Sequence, residues 1–117
     1  MSDRFAEVKS VSARTAKQIL DSRPDAKLLD VREEWEMKIG KVPKSEPLTP
    51  ELLDALLSSE DRVLPIILYC HFGVRSMDAA LFLADRGFRN VSVVQGGIEA
   101  WSVDVDPTIP RYEAAYC

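Results

Sequence analysis

The chain has one histidine, two cysteines, no excess of positive charge and no long apolar run, and each shortage narrows what it can do. A lone histidine, His71, directly adjoins a cysteine and lacks the repeated ligand spacing of a zinc site, so no metal is expected. Two cysteines, Cys70 and Cys117, do not make a disulfide framework, and in a reducing compartment both are expected as thiols. With 19 acids against 15 bases, a net charge of −4 and no basic cluster, a nucleic-acid partner is not indicated. No stretch approaches the ~20 apolar residues of a membrane span. Met1-Ser2-Asp3-Arg4-Phe5 lacks the apolar core of a secretory signal, so a cytoplasmic protein with no membrane partner is expected. Internal repeats and low-complexity tracts are also missing.

What is present is ordinary for a globular domain: 46% apolar and 29% charged residues. A chain of 117 residues is expected to form one domain over 1–117, with a core from about 7 to 104 and a tail from about 105 to 117.

The informative stretch is Ile66-Ile67-Leu68-Tyr69-Cys70-His71-Phe72-Gly73-Val74-Arg75-Ser76. Its apolar, initially β-branched run predicts a strand buried on both faces, which stops at Cys70 and a short glycine-containing turn. Met77, Ala80, Leu81 and Ala84 then recur on one helical face, so a helix should begin near Val74 to Ser76. Cys70 therefore stands at the carboxyl end of a strand and faces a helix amino terminus. Unpartnered N–H groups and aligned peptide dipoles favour negative charge there, and a thiolate is such a charge. Arg75 adds a cation, and Gly73 lets the backbone turn tightly enough for several N–H groups to point inward.

The rest of the chain alternates strands and helices. Glu7 to Val11 is a candidate strand, and Ser12 caps a helix from Ala13 to about Ser22. Lys27 to Val31 is a second strand, ending at the same sheet edge as Cys70. Glu33 to Met37 predicts one helical turn with Trp35 packed inward, and Gly40 to Pro47 a loop or degenerate edge strand. Thr49-Pro50-Glu51 starts a helix whose buried face is Leu52, Leu53, Leu56 and Leu57. Gly87 closes the helix after Cys70, Asn90 to Val94 is a further strand, and Gly96-Gly97 turns the chain into a short helix through Trp101, another core residue. From Val105 the tail should lie extended over the surface. This alternation predicts an α/β fold with a mostly parallel sheet of about four to five strands and helices on both faces, and ligands bind such sheets outside the strands' carboxyl ends.

The loop Cys70-His71-Phe72-Gly73-Val74-Arg75-Ser76 resembles the Cys-x-x-Gly-x-Arg-Ser active-site loop of the rhodanese (thiosulfate sulfurtransferase) family, single-domain type. Leu29-Asp30-Val31-Arg32-Glu33 is similar to that family's Asp-Val-Arg-Glu signature, and Gly96-Gly97-Ile98-Glu99-Ala100-Trp101 resembles its closing Gly-Gly-x-x-x-Trp segment. Together the matches cover roughly residues 7 to 112 and imply the three-layer rhodanese fold. The chain departs from the family at Gly40-Lys41-Val42-Pro43-Lys44, where the usual pattern resembles Gly-His-Ile-Pro-Gly-Ala, and the segment before Leu48 is shortened.

The resemblance implies a double displacement without an external cofactor. Cys70 attacks the outer sulfur of a small anionic donor such as thiosulfate and holds it as a persulfide, cradled by backbone N–H groups of residues 71 to 76, including Gly73, Val74 and Ser76. A thiol, a sulfur-acceptor protein or cyanide then removes it. Arg75 would attract the donor and stabilise the departing group, with a surface pair to Asp78 as its bland alternative. His71 fits a loop wall or substrate contact better than a general base, because neighbours in a tight turn direct their side chains apart. Phe72 is either a pocket wall or exposed. Asp30 and Arg32 are expected to tie the two strand ends together, with substrate contact by Arg32 as the alternative.

Two other functions are weighed. Phosphatase loops carry five residues between cysteine and arginine, whereas four intervene here; the loss of up to ~3.5 Å of contour leaves the ring too small for phosphate. A non-enzymatic sulfur-relay or regulatory module is the remaining alternative, kept open by the altered rim. Cys117 reads as a solvated tail residue, the sharper option being a thiol that accepts sulfur from Cys70.

Overall fold

A computed structural model describes residues 8–113. Glu7 and Cys117 lie outside the described residues. Ten elements follow in chain order: β1 (Val8–Val11), α1 (Ala13–Ser22), β2 (Lys27–Asp30), α2 (Glu34–Ile39), β3 (Glu46–Pro47), α3 (Pro50–Ser58), β4 (Ile66–Tyr69), α4 (Val74–Asp85), β5 (Val91–Val94) and α5 (Gly97–Asp104). The strands form one five-stranded sheet in the order β1-β5-β4-β2-β3, every pairing parallel.

Local chemistry sets the element boundaries. Ser12 Oγ accepts the Thr15 N–H at 3.1 Å, and Thr49 Oγ1 accepts the Leu52 N–H at 3.1 Å with Pro50 just inside the helix. Each hydroxyl satisfies a donor that the first helical turn leaves unpaired. Gly87, at φ +95°, follows the last turn of α4 in the left-handed conformation that favours glycine.

Strand alternation divides the core into two layers. Leu28, Ile67, Tyr69 and Val94 pack against Ala13 and Ala16 of α1 and Ile98 and Trp101 of α5. Leu29, Ile66, Leu68, Val91 and Val93 pack on the other side against Leu56 of α3 and Ala80 and Leu83 of α4. All four residues of β4 are buried, as its continuous apolar run predicts. The sheet thus has helices on both faces. β4 pairs with β2 so that Asp30 lies beside Tyr69, which brings the two signature strands to the same carboxyl edge.

Two expectations are corrected. Trp35 is 47% exposed; the residue that α2 turns inward is Glu36. A six-residue helix can present one side to the interior, and Glu36 holds that side because ionic partners await it there. Nor is the tail an idle surface extension: Ile109 is buried in the α1/α5 layer, and Tyr112 packs against that layer too.

Candidate active site

Cys70 immediately follows β4, and its Sγ sits over the amino terminus of α4. It accepts the Gly73 N–H at 3.1 Å and the Ser76 N–H at 3.4 Å, while Ser76 Oγ lies 3.6 Å away. Gly73, at φ +117°, is the residue before the helix, and its left-handed backbone aims the N–H back at the sulfur. The Ser76 amide is one of the first-turn donors that a helix cannot satisfy internally. Of the residues predicted to cradle the sulfur, these two supply hydrogen bonds. Ser76 Oγ donates to Gly73 O at 3.3 Å, bracing the turn. The cysteine is wholly buried, 0% exposed, and the loop's tip is exposed instead: Phe72 at 48% and Val74 at 62%.

The loop is anchored from beneath by α5. Ile98 N–H donates to Cys70 O at 2.8 Å and Glu99 N–H to His71 O at 3.2 Å, so two orphan donors of α5 hold two loop carbonyls. This approach depends on Gly97, where a Cβ would fall 2.5 Å from Cys70 O and 2.6 Å from the His71 carbonyl carbon. The glycine of the closing motif is therefore a contact surface for the loop as well as a turn.

Arg75 does not pair with Asp78. Its guanidinium reaches Glu36 of α2, Nη1 to Oε1 at 2.6 Å and Nη2 to Oε2 at 2.8 Å. Glu36 Oε1 also accepts the Glu33 N–H, and Oε2 accepts the Tyr112 hydroxyl at 2.7 Å. Burial by itself would raise the Glu36 carboxyl, but hydrogen bonds from Arg75, Glu33 and Tyr112 outweigh it and hold the group down at about 2.

Arg32 faces inward. Its guanidinium donates to both Asp30 oxygens at 2.9 and 2.8 Å, to Gly40 O at 2.8 Å and to the Tyr112 hydroxyl at 3.2 Å. Asp30 Oδ2 also accepts the Tyr69 hydroxyl at 2.6 Å. Arg32 and Asp30 thus brace the ends of β2 and β4, with the guanidinium packed among protein partners. Burial and Asp30 push the Tyr69 hydroxyl's pKa up, keeping it a neutral donor.

His71 is buried in an aromatic stack. Phe72 lies on one side, centroids 4.1 Å apart, and Tyr112 on another at 4.0 Å and 9°. Burial lowers its pKa against the raising influence of Glu36 and Glu99, so the ring is held neutral. That geometry makes His71 part of the loop wall. Among the described residues no cluster of histidine, cysteine or carboxylate side chains is placed to hold a metal ion, and no helix is long and apolar enough to cross a membrane.

Sequence reasoning missed Glu36 and Tyr112. Glu36 had one available signal: it stands three residues after Glu33, the spacing of a capping box, and its carboxylate accepts the Glu33 N–H at 2.9 Å. Tyr112 had none, because nothing in its local pattern encodes where a tail will fold back.

Against known proteins, a family model described as "Rhodanese-like domain" matches residues 12–104. The chain is 38% identical over 96 residues to Rhodanese-like/PpiC domain-containing protein 12, chloroplastic, of Arabidopsis thaliana; the match covers 75% of this chain but only 31% of that protein. It is 28% identical over 103 residues to Thiosulfate sulfurtransferase GlpE of Pseudoalteromonas translucida (strain TAC 125), covering 88% of this chain and 97% of that one. Among solved structures, a rhodanese-like domain protein from Staphylococcus aureus superposes with a TM-score of 0.66 at 26% identity, covering 80% of this chain and 90% of that chain.

Proposed function

The chain belongs to the rhodanese-like domain family, and on that footing we propose that it is a sulfurtransferase working through a persulfide on Cys70. The observation that carries this proposal is the pair of amides on one sulfur, Gly73 at 3.1 Å and Ser76 at 3.4 Å. Backbone donors that need no reorganisation stabilise an anionic sulfur before and after it gains a second sulfur atom. Similarity to a protein named thiosulfate sulfurtransferase supports thiosulfate as a first assay donor.

In the reaction, the Cys70 thiolate attacks the donor's outer sulfur, the donor's own S–S bond breaks, and sulfite departs with that electron pair. A thiolate or cyanide then attacks the outer sulfur on Cys70 and restores the free thiolate. Arg75 acts through the loop's charge balance: Glu36 clamps it, so its field is shared with a carboxylate instead of presented bare to the donor. His71, Phe72 and Val74 form the walls, and Arg32 supports the sheet edge beneath.

A non-catalytic relay or regulatory module is favoured by one observation, the complete burial of Cys70. Thiocyanate production from thiosulfate and cyanide decides between the two. Turnover that disappears in Cys70→Ser supports the enzyme, and none above that variant's background supports the module.

A further inference from the structure

The segment before β3 carries a feature that sulfur chemistry at Cys70 does not use. Ser45 N–H donates to Val42 O at 3.1 Å, closing a turn with Pro43 and Lys44 at its two central positions, and Lys44 stands at φ +72°. Proline followed by a positive φ is the pattern of a type II turn, whose second central position favours glycine. Lys44 is the one non-glycine residue with positive φ among the described residues. The family pattern Gly-His-Ile-Pro-Gly-Ala has glycine at this place, whereas this chain holds a lysine there at a steric cost that glycine does not carry. The turn is fixed from beneath, since Val42 is buried and its N–H donates to the Tyr69 hydroxyl at 3.2 Å. Among the described residues the Lys44 side chain makes no hydrogen bond or ion pair, so nothing within the fold offsets that cost.

Lys44 instead lines a cavity of about 570 Å³ between α1, β2, this turn and α5. The cavity's apolar lining includes Leu20, Leu28, Val42 and Trp101, and no residue of the Cys70 loop lines it. The other charges around it are matched within the chain: Lys17 meets Asp21, Arg23 meets Asp25, and Asp106 accepts from the Thr108 hydroxyl. Lys44 is the charge left over.

Cavities of roughly 300–1,000 Å³ are the size that holds small organic molecules. An apolar body gains by covering Leu28 and Trp101, and an anionic group gains at the unmatched ammonium. A cationic group is repelled there, and a neutral one gains little. We infer that this cavity is a second ligand site, separate from Cys70, and that it takes a small amphipathic monoanion, an apolar body carrying one carboxylate, with Lys44 as its charge contact.

The test titrates the protein with octanoate, octanol and octylammonium, which share a chain and differ in head group. Binding is followed by NMR at the Val42 amide and the Trp101 indole N–H. Octanoate should move both signals and bind about threefold tighter than octanol, the scale of a partly screened charge contact, with octylammonium weakest. Lys44→Gln should erase the octanoate advantage and leave octanol binding unchanged. Lys44→Gly, which takes that φ without strain and so keeps the fold, should do the same. Octanoate binding no tighter than octanol, an advantage that survives both substitutions, or no shift of either signal with any of the three would overturn the assignment. Sulfur transfer at Cys70 stands or falls separately.

Discussion

Arg75 and Glu36 meet as a two-pronged ion pair, with hydrogen bonds of 2.6 and 2.8 Å that join the first turn of α4 to α2. The Glu36 side chain is 1% exposed and that of Arg75 22%. The fork geometry adds direction as well as charge, and the first turn of α4 is also the one whose amide reaches the Cys70 sulfur.

Replacing Glu36 by Gln should therefore be costly. It removes the carboxylate that grips the partly buried Arg75 guanidinium, a change worth about 3 kcal/mol for a broken buried pair. The exposed Lys17–Asp21 pair supplies the contrast, since Asp21→Asn should cost less than ~1 kcal/mol. Urea unfolding of the two variants checks the difference.

The same carboxylate sets an acid limb. Glu36 in the folded chain lies at about 2, below its unfolded value. Its stabilisation is therefore complete above the unfolded carboxyl range and is lost as pH falls toward 2. His71, whose folded pKa is lowered, acts in the same direction at higher pH: below its unfolded value the unfolded chain takes up a proton that the folded chain resists. Unfolding free energy should fall on acidification from pH 7, with the part below about pH 4.5 reduced in Glu36→Gln.

Gly97 should be far less replaceable than Gly87. Both hold positive φ, but a Cβ at Gly87 meets nothing within 4 Å, whereas at Gly97 it strikes the Cys70 and His71 carbonyls. Gly87→Ala should cost about 1 kcal/mol of backbone strain. Gly97→Ala should cost clearly more and also slow sulfur loading of Cys70, because the loop must lift off α5. Chemical unfolding together with loading kinetics separates the two effects.

Much of this architecture is legible in the sequence, because strands buried on both faces and capped helices announce themselves locally. Ser12, Thr49 and Gly87 sit where their cap and turn chemistry predicts, and the Ile66–Tyr69 run is buried throughout. The loop's relation to α4 was likewise readable, since a strand stop, a glycine and a helical face lie within a dozen residues. What escaped depended on distant partners. Trp35 reads as core by its apolarity, yet Glu36 takes the inner position because Arg75 lies 39 residues away in sequence. Arg75 reads as an open cation for the same reason. Tyr112 joins the site only when the tail returns across α2, 76 residues after Glu36.

Tyr112→Phe isolates the tail's polar contribution. The ring and its stack on His71 remain, while the hydroxyl that donates to Glu36 and accepts from Arg32 is removed. The expected loss is about 1–2 kcal/mol, with both charged groups losing a neutral partner. A loss no greater than that of an exposed control substitution would show that the hydroxyl is not part of the ionic network.

Intact mass of the protein after incubation with a sulfane donor tests the central claim most directly. The account predicts a gain of one sulfur atom per chain, located on Cys70, reversed by cyanide and absent in Cys70→Ser. An unchanged mass, or a gain that persists when Cys70 is replaced, would contradict it.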